Sequence, residues 1–297
     1  MTRRGALLFA AMCVIWGIPY LLIKVAVEDL SPSMLVLART AIAAVILLPI
    51  ALARRELRPL LPHWLPLLAF AAIEIALPWV LLGAAETEIS SSLTALLIAT
   101  VPLVATVIAL TTGEREKPET QTVLGLLLGM AGVAAIVGVN VEGGVVPIVE
   151  VVLVAVCYAV GPVILQRWLA HLPALGVIAA SLALTAVAYV PIVAVGSTGE
   201  EPSANAVGAV LGLAIVCTAL AFLLFFALIA EVGPVRATVI TYVNPAVAAI
   251  LGVLILDEHF TVGMGLGFVL VLAGSVLATQ PGLARRVARR PALDAAT

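Results

Sequence analysis

The chain has 297 residues, 63% of them hydrophobic and 11% charged, and a formal net charge of −2. Soluble domains hold roughly half and a quarter respectively, so this composition describes an integral membrane protein with no room for a soluble domain. Nucleic acid is excluded as a partner, because counterion release needs clustered Lys and Arg on an exposed face.

A helix needs about 20 apolar residues to cross ~30 Å of hydrocarbon. Ten such spans are predicted, at 5–27, 33–53, 64–85, 89–112, 122–141, 145–170, 172–196, 204–230, 235–256 and 262–280. The expected fold is therefore an all-α integral membrane protein with ten transmembrane helices. The first span follows Arg3 and Arg4, but no small-x-small cleavage site precedes Trp16, Pro19 and Lys24, so it is expected to stay as a helix. Trp16, Tyr20 and Ile23 share one of its faces. Turn chemistry marks the connections: Ser31 with Pro32, Arg58 with Pro59, Lys117 with Pro118, Gly143 with Gly144, and Gly199 to Pro202.

Glu74 lies about ten residues into the third span, which at 1.5 Å per residue places it ~15 Å deep. No other acid in the chain is so central. Such a carboxyl either serves function, as a partner for a substrate amine or a proton-coupling group, or is a protonated acid that holds a neighbouring helix. Trp79, nearer the outer end of the span, suits an interfacial anchor. Pro102 in the fourth span and Pro245 in the ninth remove backbone donors at membrane depth, which is tolerated only inside protein or against a wet cavity. Pro19, Pro78 and Pro162 do the same in spans one, three and six. Gly125, Gly129 and Gly132 in span five, with Gly263, Gly267 and Gly274 in span ten, suit close helix packing or dimerisation. In span eight Phe222, Phe225 and Phe226 share a face, and in span nine Thr238, Thr241, Tyr242 and Pro245 form one polar, kinked stripe. Lys24, Arg39 and Glu150 lie near the outer ends of their helices and are expected to form a structural ion pair or triad at one depth, with snorkelling as the alternative for Lys24.

The two halves look duplicated. Subtracting 143 puts Pro245 on Pro102 and Glu231 on Glu88; the offset is 144 upstream, with Gly161 on Gly17, and 142 downstream, with Gly274 on Gly132. Residues 5–141 and 145–280 are thus expected to be two copies of one five-helix unit, followed by a basic tail at 281–297. With the N-terminus inside, the inner segments hold 13 of the 15 Lys and Arg: Arg3, Arg4, Arg54, Arg55, Arg58, Arg115, Lys117, Arg167, Arg236, Arg285, Arg286, Arg289 and Arg290. The outer loops hold none and carry acids instead, among them Glu28, Asp29, Glu86, Glu88 and Glu258. Both termini are therefore expected in the cytoplasm. An odd number of helices per copy makes the repeat inverted, an arrangement in which secondary transporters bind substrate near the midplane.

These features resemble the EamA-like branch of the drug/metabolite transporter superfamily. The residues carrying the resemblance are Trp16 and Gly17 followed by Lys24, Pro32 then Arg39, the serines before Pro102, Gly113 with Glu114, and Gly125 then Ala131 to Val133. The second copy departs from the pattern, with Ala180 where Arg39 would recur and Asp257 with Glu258 in place of Gly113 with Glu114. The resemblance implies a ten-helix, basket-like inner-membrane carrier that exports amino acids or other small metabolites. It also implies a cavity lined mainly by helices 1, 3, 4, 6, 8 and 9, with 5 and 10 peripheral.

Enzymatic readings have little to stand on. His63, His171 and His259 sit at loop edges far apart in sequence, Cys13, Cys157 and Cys217 lie inside apolar spans, and no nucleotide-binding loop exists. No cofactor or metal is expected, and the partners are a small-molecule substrate and the lipid bilayer, with the chain a monomer or homodimer. The expected binding site lies at mid-depth among Glu74, the Trp16 and Tyr20 face, Tyr158, and the stripe of Thr238, Thr241 and Tyr242. Its occupant is a small molecule with an apolar body and an amine; a drug or nucleotide-sugar carrier is the alternative within the same fold, and a membrane-embedded enzyme or assembly protein the alternative outside it.

Overall fold

A computed structural model describes residues 2–111, 119–138, 144–196 and 201–279. Every regular element among them is helical. Among the described residues nine helices are long and apolar enough to cross a bilayer: α1 (Arg3–Ala26), α2 (Pro32–Ala53), α3 (Arg58–Glu88), α4 (Ser91–Thr111), α5 (Thr120–Val137), α6 (Val146–Leu169), α7 (Ala174–Val195), α8 (Ala204–Val232) and α10 (Val262–Thr279). The shorter α9 (Ile240–Ile255) completes the expected ten. Large apolar residues such as Val45, Trp64, Val187, Leu254 and Leu266 are exposed on these helices. In water that would be costly, whereas against lipid tails it is the ordinary state of a spanning helix.

Two boundaries differ from expectation in ways that matter. Helix α3 runs to Glu88, so Glu86, expected in an outer loop, is helical and 0% exposed. Helix α9 starts at Ile240, after a short helical turn at Pro234–Ala237, so Thr238 lies ahead of the helix and not on its stripe. The tail 281–297, Gly113 and Glu114 lie outside the described residues.

The helices form two compact units. One contains Met1–Ile98 and Val141–Phe260, the other Ala99–Asn140 and Thr261–Thr297. In the first unit a core of Val36, Leu47, Phe70, Ile75, Trp79, Ile164 and Leu182 joins α2, α3, α6 and α7, with Phe222 and Phe226 of α8 against it. In the second unit α5 and α10 touch backbone to backbone. A Cβ on Gly274 would stand 2.5 Å from the Gly129 nitrogen, and one on Gly132 would stand 2.7 Å from the Gly267 carbonyl oxygen. Small residues permit this approach, and dispersion over the close surfaces holds it. The glycine stripes that suited either packing or dimerisation thus pack against each other within one chain.

Candidate functional site

Irregular backbone gathers in the first unit. Helix α1 is interrupted at Trp16 and Gly17, where Gly17 N–H bonds to Val14 O at 2.9 Å. The interruption is seated on α9, since a Cβ on Gly17 would lie 2.6 Å from Val247. With its amide nitrogen turned to the carbonyls, Asn244 donates to Cys13 O at 3.1 Å and to Ile240 O at 2.9 Å. That supplies a donor to a carbonyl that the broken helix leaves free. Helix α3 widens into a π-helical turn at Ala71–Ala76, just before Pro78, and Tyr189 of α7 donates its hydroxyl to Ala76 O at 2.9 Å. Helices α6 and α8 carry π-helical stretches at Leu165–Leu169 and Gly212–Leu220. Such bulges redirect side chains and recur at functional positions.

The widened stretch of α8 brings Thr218 against a buried arginine. Arg39 of α2 is 7% exposed; its Nε donates to the Thr218 hydroxyl at 2.9 Å, and its guanidinium lies 3.7 Å from the centroid of Trp79. Around it stand Tyr20, Tyr158 and Cys217, and no carboxylate among the described residues touches it. Tyr158 is within electrostatic range of both Arg39 and Glu74. Glu74 rests against Gly161 of α6, where any side chain would collide with its carboxylate, and its Oε2 is buried without a hydrogen-bond partner. Tyr20, Glu74 and Tyr158 are each half-buried. Trp16 adds an aromatic side, with its ring 4.7 Å from that of Phe225 and 5.9 Å from that of Phe222.

Several expected residues sit elsewhere. Lys24 and Arg39 do not pair with Glu150, whose charged neighbour is Glu88. Lys24 Nζ instead donates to Glu86 O at 2.6 Å and Ile89 O at 3.1 Å, capping the C-terminal end of α3, where a cation also complements the helix dipole. Thr238 and Thr241 are exposed, and the Thr241 hydroxyl donates to Thr238 O at 2.7 Å, turning the stripe back on its own backbone. Tyr242 is half-buried, and neither it nor Thr241 shares a hydrogen bond or ring contact with Tyr20, Glu74 or Tyr158. Pro245 lies buried inside α9, while Pro102 opens the second half of α4 after a break at Ala99 and Thr100. His63 and His171, 108 residues apart, meet with their Nε2 atoms 3.3 Å apart. Among the described residues no group of three or more metal-ligating side chains occurs.

A charged, aromatic-walled interior in a helical membrane bundle is the chemistry of a carrier, and comparison with known proteins agrees. The EamA-like transporter family matches residues 3–138 and again 146–280. An inner membrane transporter of Escherichia coli (strain K12), YedA, is 30% identical over 251 residues, covering 82% of this chain and 79% of that one. A Bacillus subtilis transporter, YvbV, is 25% identical over 294 residues, covering 96% and 94%. A crystal structure superposes with a TM-score of 0.67 at 21% identity, over 97% of this chain and 99% of that chain, which carries the fold alone. A family match over both halves and a transporter relative along most of the length leave one conclusion: the chain is a membrane transporter, not an enzyme, and belongs to the EamA-like transporter family.

Proposed function

We propose that this protein is a secondary transporter that exports small zwitterionic metabolites with an apolar body, amino acids foremost, across the cytoplasmic membrane by alternating access between two inverted repeats. One observation carries the reading: Arg39 and Glu74, a cation and an acid inside a membrane protein, have no ion-pair partner among the described residues and flank the same tyrosine. Isolated charges in a low-dielectric interior are costly unless something pairs with them. An α-amino acid does so in both places, its carboxylate on the guanidinium and its ammonium on Glu74. Trp79, over which Arg39 stacks, lies on the same helix as Glu74, five residues further on. Trp16, Tyr20, Phe222 and Phe225 offer the apolar side. The inner membrane location follows the name of the Escherichia coli relative.

Counterflow in proteoliposomes tests the reading. Radiolabelled L-leucine or L-phenylalanine should exchange, while the N-acetyl derivative and the decarboxylated amine of either should fail to compete. An amine that exchanges as well as its amino acid would favour the drug carrier, and an inert amino-acid panel would overturn the proposal.

A further inference from the structure

The turn between α3 and α4 is clamped from both sides in the first unit. Lys24 of α1 donates to the carbonyls of Glu86 and Ile89 at the end of α3. At the start of α4, Glu258, which follows α9, accepts the backbone N–H of Ser91 at 2.7 Å and of Ser92 at 2.9 Å, together with the Ser92 hydroxyl. A cation thus sits on a helix C-terminus and an anion on a helix N-terminus, each complementing the dipole it faces. Between them lies Glu86, 0% exposed, with neither carboxylate oxygen hydrogen-bonded. The charged and titratable groups facing it are Lys24 and Tyr20 of α1 and Glu258. Charges on the other helices packed against α3 point elsewhere, Arg39 to Trp79 and Glu150 toward Glu88. Lys24 lies close enough to favour the carboxylate, but its ammonium hydrogen-bonds the two carbonyls and Glu258 is engaged with the α4 backbone, so neither oxygen of Glu86 receives a side-chain hydrogen bond.

We propose that Glu86 is the binding site of a coupling proton, separate from the substrate site and joined to it by Tyr20. The geometry supplies two arrangements. With a proton on Glu86 the carboxyl is neutral, and Lys24 stays on the two carbonyls, tying α1 to the α3–α4 turn as observed. When the proton leaves to water, the carboxylate competes for the Lys24 ammonium, and the tie across the turn loosens. Tyr20 and Lys24 stand at i and i+4 on α1, so the segment that ties down the α3–α4 turn also carries Tyr20 of the substrate site. A sodium ion suits the place less well, because the two carbonyls that would ligate it already accept from Lys24 and an ammonium stands beside them.

The coupling role rests on the transport reading, but the site itself is testable without a substrate. Infrared difference spectra of the reconstituted full chain across a pH titration should show a buried protonated-carboxyl band that is absent in Glu86→Gln. With L-leucine as probe, a gradient of about one pH unit should sustain up to about tenfold accumulation for one proton per substrate. In Glu86→Gln accumulation should fall to simple equilibration while counterflow continues. Lys24→Met, which removes the group that moves, should lose gradient-driven accumulation but keep the infrared band. The proposal is overturned if Glu86→Gln leaves the band in place, if either variant accumulates L-leucine like the parent, or if a sodium gradient drives accumulation in place of a proton gradient. A wild-type chain that shows the Glu86 band yet never exchanges L-leucine would remove the amino-acid reading and leave the proton site standing.

Discussion

Arg39 carries its charge on a planar fork, and that shape matters as much as the charge. Lysine at this position keeps the cation but loses both the stacking on Trp79 and the two-pronged grip on a carboxylate. Arg39→Lys should therefore raise the half-saturation for L-leucine counterflow about tenfold, equivalent to ~1.4 kcal/mol, while the yield of folded protein in detergent holds. An unaltered half-saturation would take Arg39 out of the site. Glu74→Gln preserves shape against Gly161 and removes the negative charge, so affinity for amino acids should fall by a similar factor. Loss of pH dependence in that variant with unchanged half-saturation would instead move the coupling role from Glu86 to Glu74. Asp257 presents a different constraint: its φ of 53° lies in the left-handed region. Its expected counterpart in the first copy is Gly113, the residue type that adopts that backbone freely. Asp257→Gly should leave the melting temperature nearly unchanged. Asp257→Val should lower it, at a cost of about 1–2 kcal/mol, because a β-branched residue resists the turn that delivers Glu258 to Ser91 and Ser92. Equal melting by both variants would show that the turn tolerates any residue. Glu74, Tyr20 and Tyr158 were legible in sequence because polar groups at membrane depth need a reason to be there. Arg39 was legible as a buried charge but not its company, since spacing within α2 says nothing of which side chains α3 and α8 present to it. Glu86 reads in sequence as an outer-loop acid, because a span ending at residue 85 leaves it in water, whereas α3 continues to Glu88.

At the scale of helices, proline marked most of the irregular backbone. Pro19, Pro78, Pro102 and Pro162 each lie within a few residues of a break or a widened turn. Pro245 does not, and its helix stays regular around it while the interruption falls at Thr238 and Val239. The longest π-helical stretch, Gly212–Leu220 in α8, contains no proline at all. It is a tertiary effect: Thr218 returns its hydroxyl to Leu213 O at 2.7 Å and accepts from Arg39, a combination invisible to local sequence. The glycine pattern was more transparent, because small residues, glycine above all, let two helix backbones meet. Gly274→Leu would drive a side chain into the Gly129 backbone, where nothing flexible can yield. Overpacking of this kind costs about 1–3 kcal/mol or more, so folded yield should drop sharply while Tyr242→Ala, at a half-buried position, leaves yield intact. Well-folded Gly274→Leu protein in normal amounts would contradict the backbone contact between α5 and α10.

For the molecule as a whole, the question is which way it faces. Hydrogen bonds sort the loops of the first unit into two ends. At one end Thr2 donates to Glu231, Glu56 accepts from Gly176 N–H at 3.0 Å, and His63 meets His171. At the other end Asp29 accepts from Ser203 N–H at 3.0 Å, the Ser203 side chain and backbone together holding its carboxyl below the usual range, and Glu258 caps α4. The first end carries Arg3, Arg4, Arg54, Arg55 and Arg58, whereas the loops of the second carry acids. Cytoplasmic loops retain Lys and Arg, so the arginine-bearing end is expected to face the cytoplasm. Cys13, Cys157 and Cys217 are all buried, so the natural chain supplies a quiet background for thiol labelling. A membrane-impermeant maleimide applied to intact cells should label Glu28→Cys, exposed at the acidic end, and leave Arg54→Cys unmodified until the membrane is opened. Labelling of Arg54→Cys alone in intact cells would invert the molecule, and with it the direction of export.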